Sequence, residues 1–275
     1  MLRGSILFPH DGSVLAGSVI DSLGLALSAE TPVTVLHVDQ GSPVEGKAID
    51  QAVERLEHYG VAVTRETLPV GDAAGAIVDY ARVHGHTLIA LSTQGHGGGR
   101  RGTRGSVAER VLQASTVPVF LLPPRAHLEP HFQSILVPVA LDSDSLEIFD
   151  SLLPLAQSFK STITLLYVDE EDPTDTAARR EERRRLMRGR IEKEFEQARE
   201  RVESAGVPCH LRIEHGDPDE EILRAAKPEF YDLLAMTTHA RKGFSRWLFG
   251  SVAQRVLRHA EIPLFVHRIG LPLDS

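Results

Sequence analysis

The chain repeats itself. Residues 105–120 read GSVAERVLQASTVPVF and residues 250–265 read GSVAQRVLRHAEIPLF, identical at nine of sixteen positions. Ser5-Ile6-Leu7-Phe8-Pro9 matches Ser134-Ile135-Leu136-Val137-Pro138, and Thr34-Val35-Leu36-His37-Val38-Asp39 matches Thr164-Leu165-Leu166-Tyr167-Val168-Asp169. Gly71-Asp72 matches Gly216-Asp217. The matches keep their order, so a small domain has been duplicated. The expected boundaries are a first domain at 1–124, a linker at 125–132 and a second domain at 133–275. Hydrophobic residues make up 42% of the chain, enough to build a core in each copy.

The spacing between matches grows from about 130 to about 145 residues, which places extra residues of the second copy at 174–205. That stretch is dense in Arg and Glu, and opposite charges at i,i+4 predict a long, mostly solvated helix. Its interleaved glutamates argue against a nucleic-acid-binding arm. Net charge is −8, a surface that repels phosphate backbones and argues against broad nucleic-acid binding.

Within each copy, short β-branched runs alternate with helical patterns. Strands are predicted at 4–9, 32–39, 61–67, 87–92 and 117–122, and again at 134–139, 162–168, 207–214, 231–237 and 262–267. Helices of the first copy fall at about 13–29, 45–59, 73–85 and 104–115. Strands apolar on both faces and separated by helices predict an α/β fold, two tandem open twisted parallel sheets with helices on both faces. No apolar run approaches the ~18 residues needed to cross a membrane. The start of the chain lacks a signal-peptide pattern, and the single cysteine, Cys209, suits a reducing compartment. The expected location is the cytoplasm.

Ligands of open parallel sheets bind beyond the carboxyl ends of the strands. After the first strand stands Asp11, a helix cap, a carboxylate for ribose hydroxyls, or both, with Ser13 capping and Asp11 facing the crevice. After the fourth comes a loop rich in Gly and Arg, Ser92-Thr93-Gln94-Gly95-His96-Gly97-Gly98-Gly99-Arg100-Arg101-Gly102-Thr103-Arg104-Gly105-Ser106, and then a helix starting near Val107. Glycines admit close backbone approach, and the helix N-terminus with Arg100, Arg101 and Arg104 adds positive charge, so the segment reads as a polyphosphate cradle or as a capped surface loop. Two textual matches fail. Gly97–Gly102 fits G-x-G-x-x-G, but the strand 117–122 carries no acid, and Gly41–Ala48 nearly fits a P-loop but has no hydroxyl at Ala48. No Ser-His-Asp arrangement or metal cluster has supporting spacing. His84 and His86 are expected at the solvent, His37 and Tyr167 at strand ends, and Cys209 as a small core hydrophobe.

On these residues the chain resembles the universal stress protein family, whose signature after the fourth strand has the form G-x2-G-x9-G-[S/T]. The first copy aligns as Ser92-x2-Gly95-x9-Gly105-Ser106, the second as Thr237-x2-Ala240-x9-Gly250-Ser251. The resemblance covers nearly the whole chain, twice. It implies a Rossmann-like fold of the adenine-nucleotide α-hydrolase type and ATP, alone or with Mg²⁺, as ligand. Carried over, Pro9 and Val38 line the adenine site and Asp11 holds the ribose. Ser92, Gly95, Arg101, Gly105, Ser106 and Val107 meet ribose and phosphates. Val168, Thr237, Ala240, Gly250 and Ser251 are the equivalents in the second copy, which departs further, with Ala140 at the position of Asp11 and Ala240 at that of Gly95. The resemblance implies a stress-response regulator that binds nucleotide mainly in the first copy. A slow ATPase or phosphotransferase, or an interaction module without nucleotide, are the alternatives. It also implies pairing of the copies through their last strands as a pseudo-dimer, and makes a homodimer plausible.

Overall fold

A computed structural model describes residues 4–39, 45–69, 71–93, 107–124, 126, 131–140, 144–170, 176–239 and 250–269. The first copy runs β1 (Ile6–Pro9), α1 (Val14–Gly24), β2 (Val33–Val38), α2 (Glu45–His58), β3 (Val63–Leu68), α3 (Ala73–Val83), β4 (Leu88–Ser92), α4 (Val107–Ala114) and β5 (Val119–Leu122). The second runs β6 (Ser134–Pro138), a 3₁₀ turn (Asp144–Glu147), α5 (Ile148–Phe159), β7 (Thr162–Glu170), α6 (Ala177–Ser204), β8 (Cys209–Gly216), α7 (Pro218–Ala225), β9 (Leu233–His239), α8 (Ser251–His259) and β10 (Leu264–Ile269).

The two five-stranded parallel arrays join edge to edge. Strand order across the whole is β3-β2-β1-β4-β5-β10-β9-β6-β7-β8. Every pairing is parallel except β5 with β10, which is antiparallel, with Leu264 opposite Leu121, Phe265 opposite Phe120 and Val266 opposite Val119. The result is one mixed, mostly parallel ten-stranded sheet. Each copy's last strand would otherwise be a bare apolar edge, a template for unwanted pairing, and here each edge closes the other.

Alternation along the strands sends side chains to opposite faces. Ile6 and Phe8 of β1 join one apolar layer with Val19 of α1, Ile49 of α2, Phe149 of α5 and Phe195 of α6. Leu7 joins the other with Ile77 of α3, Val111 of α4, Ile222 of α7 and Val256 of α8. Each layer contains residues of both copies, so neither copy owns a separate core.

Helix α6 has 28 residues where its counterpart α2 has 14. Buried Ile49, Ala52 and Leu56 of α2 correspond to buried Phe195, Ala198 and Val202 of α6. The carboxyl half of α6 is therefore the repeated helix, and residues 177–190 are the addition. Thr176 caps the added end, its hydroxyl accepting from the amide of Arg179 at 3.3 Å.

Two expectations about single residues need adjustment. His84 is exposed and stacks on Tyr80 at 4.1 Å between ring centroids. His86, expected at the surface with it, is buried edge-on to the same tyrosine. Gly85, at φ of 68°, ends α3 in a left-handed turn, and the amide of His86 donates back to the carbonyl of Ala81 at 2.9 Å, which brings its ring beside Tyr80. Phe132, in the expected linker, is 1% exposed and packs between Phe120 and Phe159. Cys209 is partly buried and packs against the core; burial pushes its thiol up to about 11, leaving it unreactive at neutral pH.

Burial pushes the imidazoles of His86 and His267 below their ordinary value. The unfolded chain then takes up these protons first as pH falls. Their contribution to stability is complete above about pH 6.5 and is lost as pH drops toward the folded-state values. Thermal unfolding is expected at a lower temperature at pH 5.5 than at pH 7.5. His86→Leu should flatten part of that dependence, and an unchanged pH profile in that variant would show that His86 contributes nothing to it.

Candidate functional site

From β1 the chain moves outward through β2 to β3 on one side, then returns to place β4 and β5 on the other. The reversal falls between β1 and β4, and the crevice at their carboxyl ends is the position where such sheets admit ligands. Pro9 ends β1, Ser92 ends β4, and Val38 ends β2, two residues past the Pro9–Leu36 pairing. The structure thus brings Pro9, Val38, Ser92 and Asp11 to one end of three adjacent strands. Pro9 and Ser92 are half-buried and Val38 is buried.

The β1–α1 turn that carries Asp11 is held at several points. The Asp11 carboxylate accepts from the amide of Ser13 at 3.0 Å, and the Ser13 hydroxyl caps α1 by accepting from the amide of Ala16 at 3.1 Å. Ser13 thus caps α1 while Asp11 holds the turn that leads into it. Gly12 has φ of 82°, in the left-handed region that favours glycine. Its amide donates to Nδ1 of His10 at 3.0 Å. His10 is buried, and its carbonyl lies 2.9 Å from Nδ1 of the equally buried His37. His37 is thus more than strand-end packing: it braces the turn beneath Asp11. A lone histidine on a strand gives no sequence signal for such a role.

Gly95, Arg101, Gly105 and Ser106 lie outside the described residues, as does Ala240. The helix that follows the first loop is described from Val107, 42% exposed at the start of α4.

The second copy repeats the frame. Pro138 ends β6, Val168 stands two residues past the Pro138–Leu166 pairing, and Thr237 of β9 matches Ser92. Ala140 is exposed at the position of Asp11, and Asp142 lies outside the described residues. Beyond the matched position β9 pairs with β10 through Thr238 opposite Arg268 and His239 opposite Ile269. In the first copy the amide of Thr93 likewise donates to the carbonyl of Leu122 at 3.0 Å. Gly250 precedes Ser251 at the start of α8 with no side-chain cap.

An ion pair recurs beside each loop-following helix. Arg110 of α4 bonds Asp72, the residue before α3, and this hydrogen bond holds the Asp72 carboxyl below its usual range. The matching Arg255 of α8 pairs with Asp219 at 2.7 Å and with Glu220 at 3.2 Å. Each pair ties the helix after the loop to the preceding helix. Among the described residues no group of three or more His, Cys, Asp or Glu side chains could hold a metal ion. No helix among them is long and apolar enough to cross a membrane.

Known proteins agree with this architecture. The universal stress protein family matches residues 44–123 and 131–268. Universal stress protein MJ0531 of Methanocaldococcus jannaschii is 29% identical over 139 residues, which are 49% of this chain and 81% of that protein. Universal stress protein YxiE of Bacillus subtilis is 24% identical over 147 residues, 50% of this chain and 99% of that protein. The crystal structure of a universal stress protein from Archaeoglobus fulgidus superposes with a TM-score of 0.65 at 20% identity, covering 98% of this chain and 97% of that one. A protein of unknown function from Pseudomonas aeruginosa, PA1789, gives a TM-score of 0.73 at 16% identity over 96% of this chain and 92% of its own. With the family matched twice in tandem across most of its length, the chain belongs to the universal stress protein family.

Proposed function

We propose that the chain is a cytoplasmic regulator that binds an adenine nucleotide, ATP, in its first copy, with the second copy acting mainly as structural partner. The observation that carries this reading is the meeting of Asp11, Pro9, Val38 and Ser92 at the switch point between β1 and β4. There Asp11 would accept from ribose hydroxyls while Pro9 and Val38 flank the base. The phosphates would fall toward Arg101, Gly105, Ser106 and the positive end of α4 at Val107. These residues suit a nucleotide: a braced carboxylate, apolar strand ends and a helix start on one side of one crevice. The asymmetry follows from Ala140 at the position of Asp11. Val168, Thr237, Gly250 and Ser251 keep positions equivalent to the first site without its carboxylate. Binding rather than turnover is the expected use of the nucleotide, and steady ATP hydrolysis by the purified chain would argue for the enzymatic alternative.

Calorimetric titration of ATP, with and without Mg²⁺, should report one site per chain. Asp11→Ala is expected to weaken it about ten- to hundredfold, the effect of losing a hydrogen bond to a charged group, about 1.5–3 kcal/mol. Asp11→Asn keeps an acceptor for the Ser13 amide and separates that loss from damage to the turn. Gly250→Ala should leave binding intact, since a Cβ at Gly250 meets nothing within 4 Å. Two sites of similar affinity would end the asymmetric reading, and no saturable heat would end the nucleotide reading.

A further inference from the structure

Among the described residues the sheet ends at two edges, β3 on one side and β8 on the other. β3 has six residues and shows Thr64, Arg65 and Thr67 to solvent, the polar surface that keeps an edge from pairing. β8 has eight residues and contains neither lysine nor proline, and its Leu211 and Ile213 are 48% and 43% exposed. Among the described residues no other strand carries a large apolar side chain so exposed.

The amide of Ile163 on β7 donates to the carbonyl of Pro208 at 2.9 Å. Backbone groups alternate along a parallel pair, so His210, Arg212 and Glu214 turn theirs to β7, while Leu211, Ile213 and His215 turn theirs to the edge. Side chains alternate across the faces. Arg212 and Glu214 share one face, where the guanidinium meets the carboxylate at 2.8 Å. Leu211 and Ile213 share the other, in register with buried Leu165 and with Tyr167, whose ring lies edge-on to Phe195 of α6. They carry that apolar layer past the last strand into solvent.

We infer that β8 pairs with β8 of a second molecule of this chain, antiparallel about a two-fold axis at Ile213. The charges choose the register. Of the two fullest overlaps, the one centred on Arg212 sets that arginine against its own symmetry mate. The one centred on Ile213 sets Arg212 of each molecule opposite Glu214 of the other, in the non-hydrogen-bonded positions where opposite side chains are closest. The ion pair within each strand thereby meets its mate head to tail, a ring of four alternating charges. Ile213 then faces Ile213 and Leu211 faces His215, all with outward backbone groups, which makes about six hydrogen bonds across the axis. The exposed end of the apolar layer is covered by its own copy. Because the pairing is isologous it consumes the edge and stops at a dimer. An unrelated extended peptide fits less well, since the charge order of β8 complements itself. The surface lies at the far edge of the second copy, remote from the crevice between β1 and β4, so it is independent of the nucleotide reading.

Sedimentation velocity of the full chain over a range of concentrations tests it. Dimers are expected with a Kd of roughly 1–100 μM, the affinity of a small interface. Ile213→Lys, which sets like charges face to face on the axis, should weaken dimerisation at least about tenfold. Arg212→Glu alone should weaken it as well, and Arg212→Glu combined with Glu214→Arg should restore it, a rescue that a role within one molecule would not produce. Under mild oxidation Ile213→Cys should link two chains, because opposite hydrogen-bonded residues lie about 5.5 Å apart between Cα atoms. Leu211→Cys, opposite His215, should not. Circular dichroism of each variant checks that the fold persists. The inference is overturned if the parent chain stays monomeric well above about 100 μM, or if Ile213→Lys or Arg212→Glu dimerises as the parent does. It is equally overturned if the double reversal fails to restore the dimer, or if Leu211→Cys links chains as readily as Ile213→Cys.

Discussion

Phe132→Ala is expected to destabilise the protein by about 3–5 kcal/mol, the usual effect of removing a buried phenylalanine. By sequence the residue sits in a connector between two domains, where a substitution would ordinarily matter by half a kcal/mol or less. In the fold it is 1% exposed and forms the middle of an aromatic row. Its ring lies 5.6 Å from that of Phe120 on β5 and 5.0 Å from that of Phe159 at the end of α5. Such tilted and edge-on arrangements add to the area buried. The surroundings cannot easily collapse onto the gap. The carbonyl of Phe132 accepts the buried Ser161 hydroxyl, and Gln133 and Ser134 both donate their amides to Asp232 at 2.9 Å. Urea unfolding followed by circular dichroism measures the loss. Phe132→Leu, which refills most of the volume, should cost far less. A loss below about 1 kcal/mol for the alanine variant would show that the connector is not part of the core.

The contrast between Phe132 and the strands shows what the sequence made legible. The strands were readable because a parallel sheet covered on both faces demands apolar residues at nearly every position. Runs such as Ile6-Leu7-Phe8 and Leu234-Ala235-Met236 satisfy that demand locally. Phe132 has no such context: its neighbours are a proline, a histidine and polar residues, and its burial is decided by two aromatics far away in sequence. His86 is similar, turned inward by Tyr80. The site is legible in part. Asp11, Pro9 and Ser92 stand at chain positions where strands end, and topology does the rest. The bracing of the turn by His10 and His37 depends on two strands being neighbours, which no spacing along the chain encodes.

Phe265→Asp is expected to abolish the native fold of the whole chain at 25 °C, not of one half. Phe265 is 2% exposed and lies opposite Phe120 in the antiparallel β5–β10 seam. Losing its ring costs about 3–5 kcal/mol. An unpaired carboxylate in its place adds a desolvation penalty of several kcal/mol. Together these match or exceed the ~5–15 kcal/mol by which a folded domain is usually stable. The seam gives the loss its reach. One apolar layer runs from Ile6 and Phe8 through Phe120 and Phe265 to Leu233 and Ile163, and the opposite layer crosses the same junction at Leu121 and Leu264. Opening the seam would uncover both layers and two unpaired strand edges at once, so the copies should unfold as one cooperative unit. Calorimetry of the unmodified chain should accordingly show a single transition, and the Asp variant should show none. Phe265→Leu, which keeps the seam dry, should retain one transition at a lower temperature. If the Asp variant instead keeps a transition of about half the enthalpy, one copy folds without the other and the shared layers do not couple them.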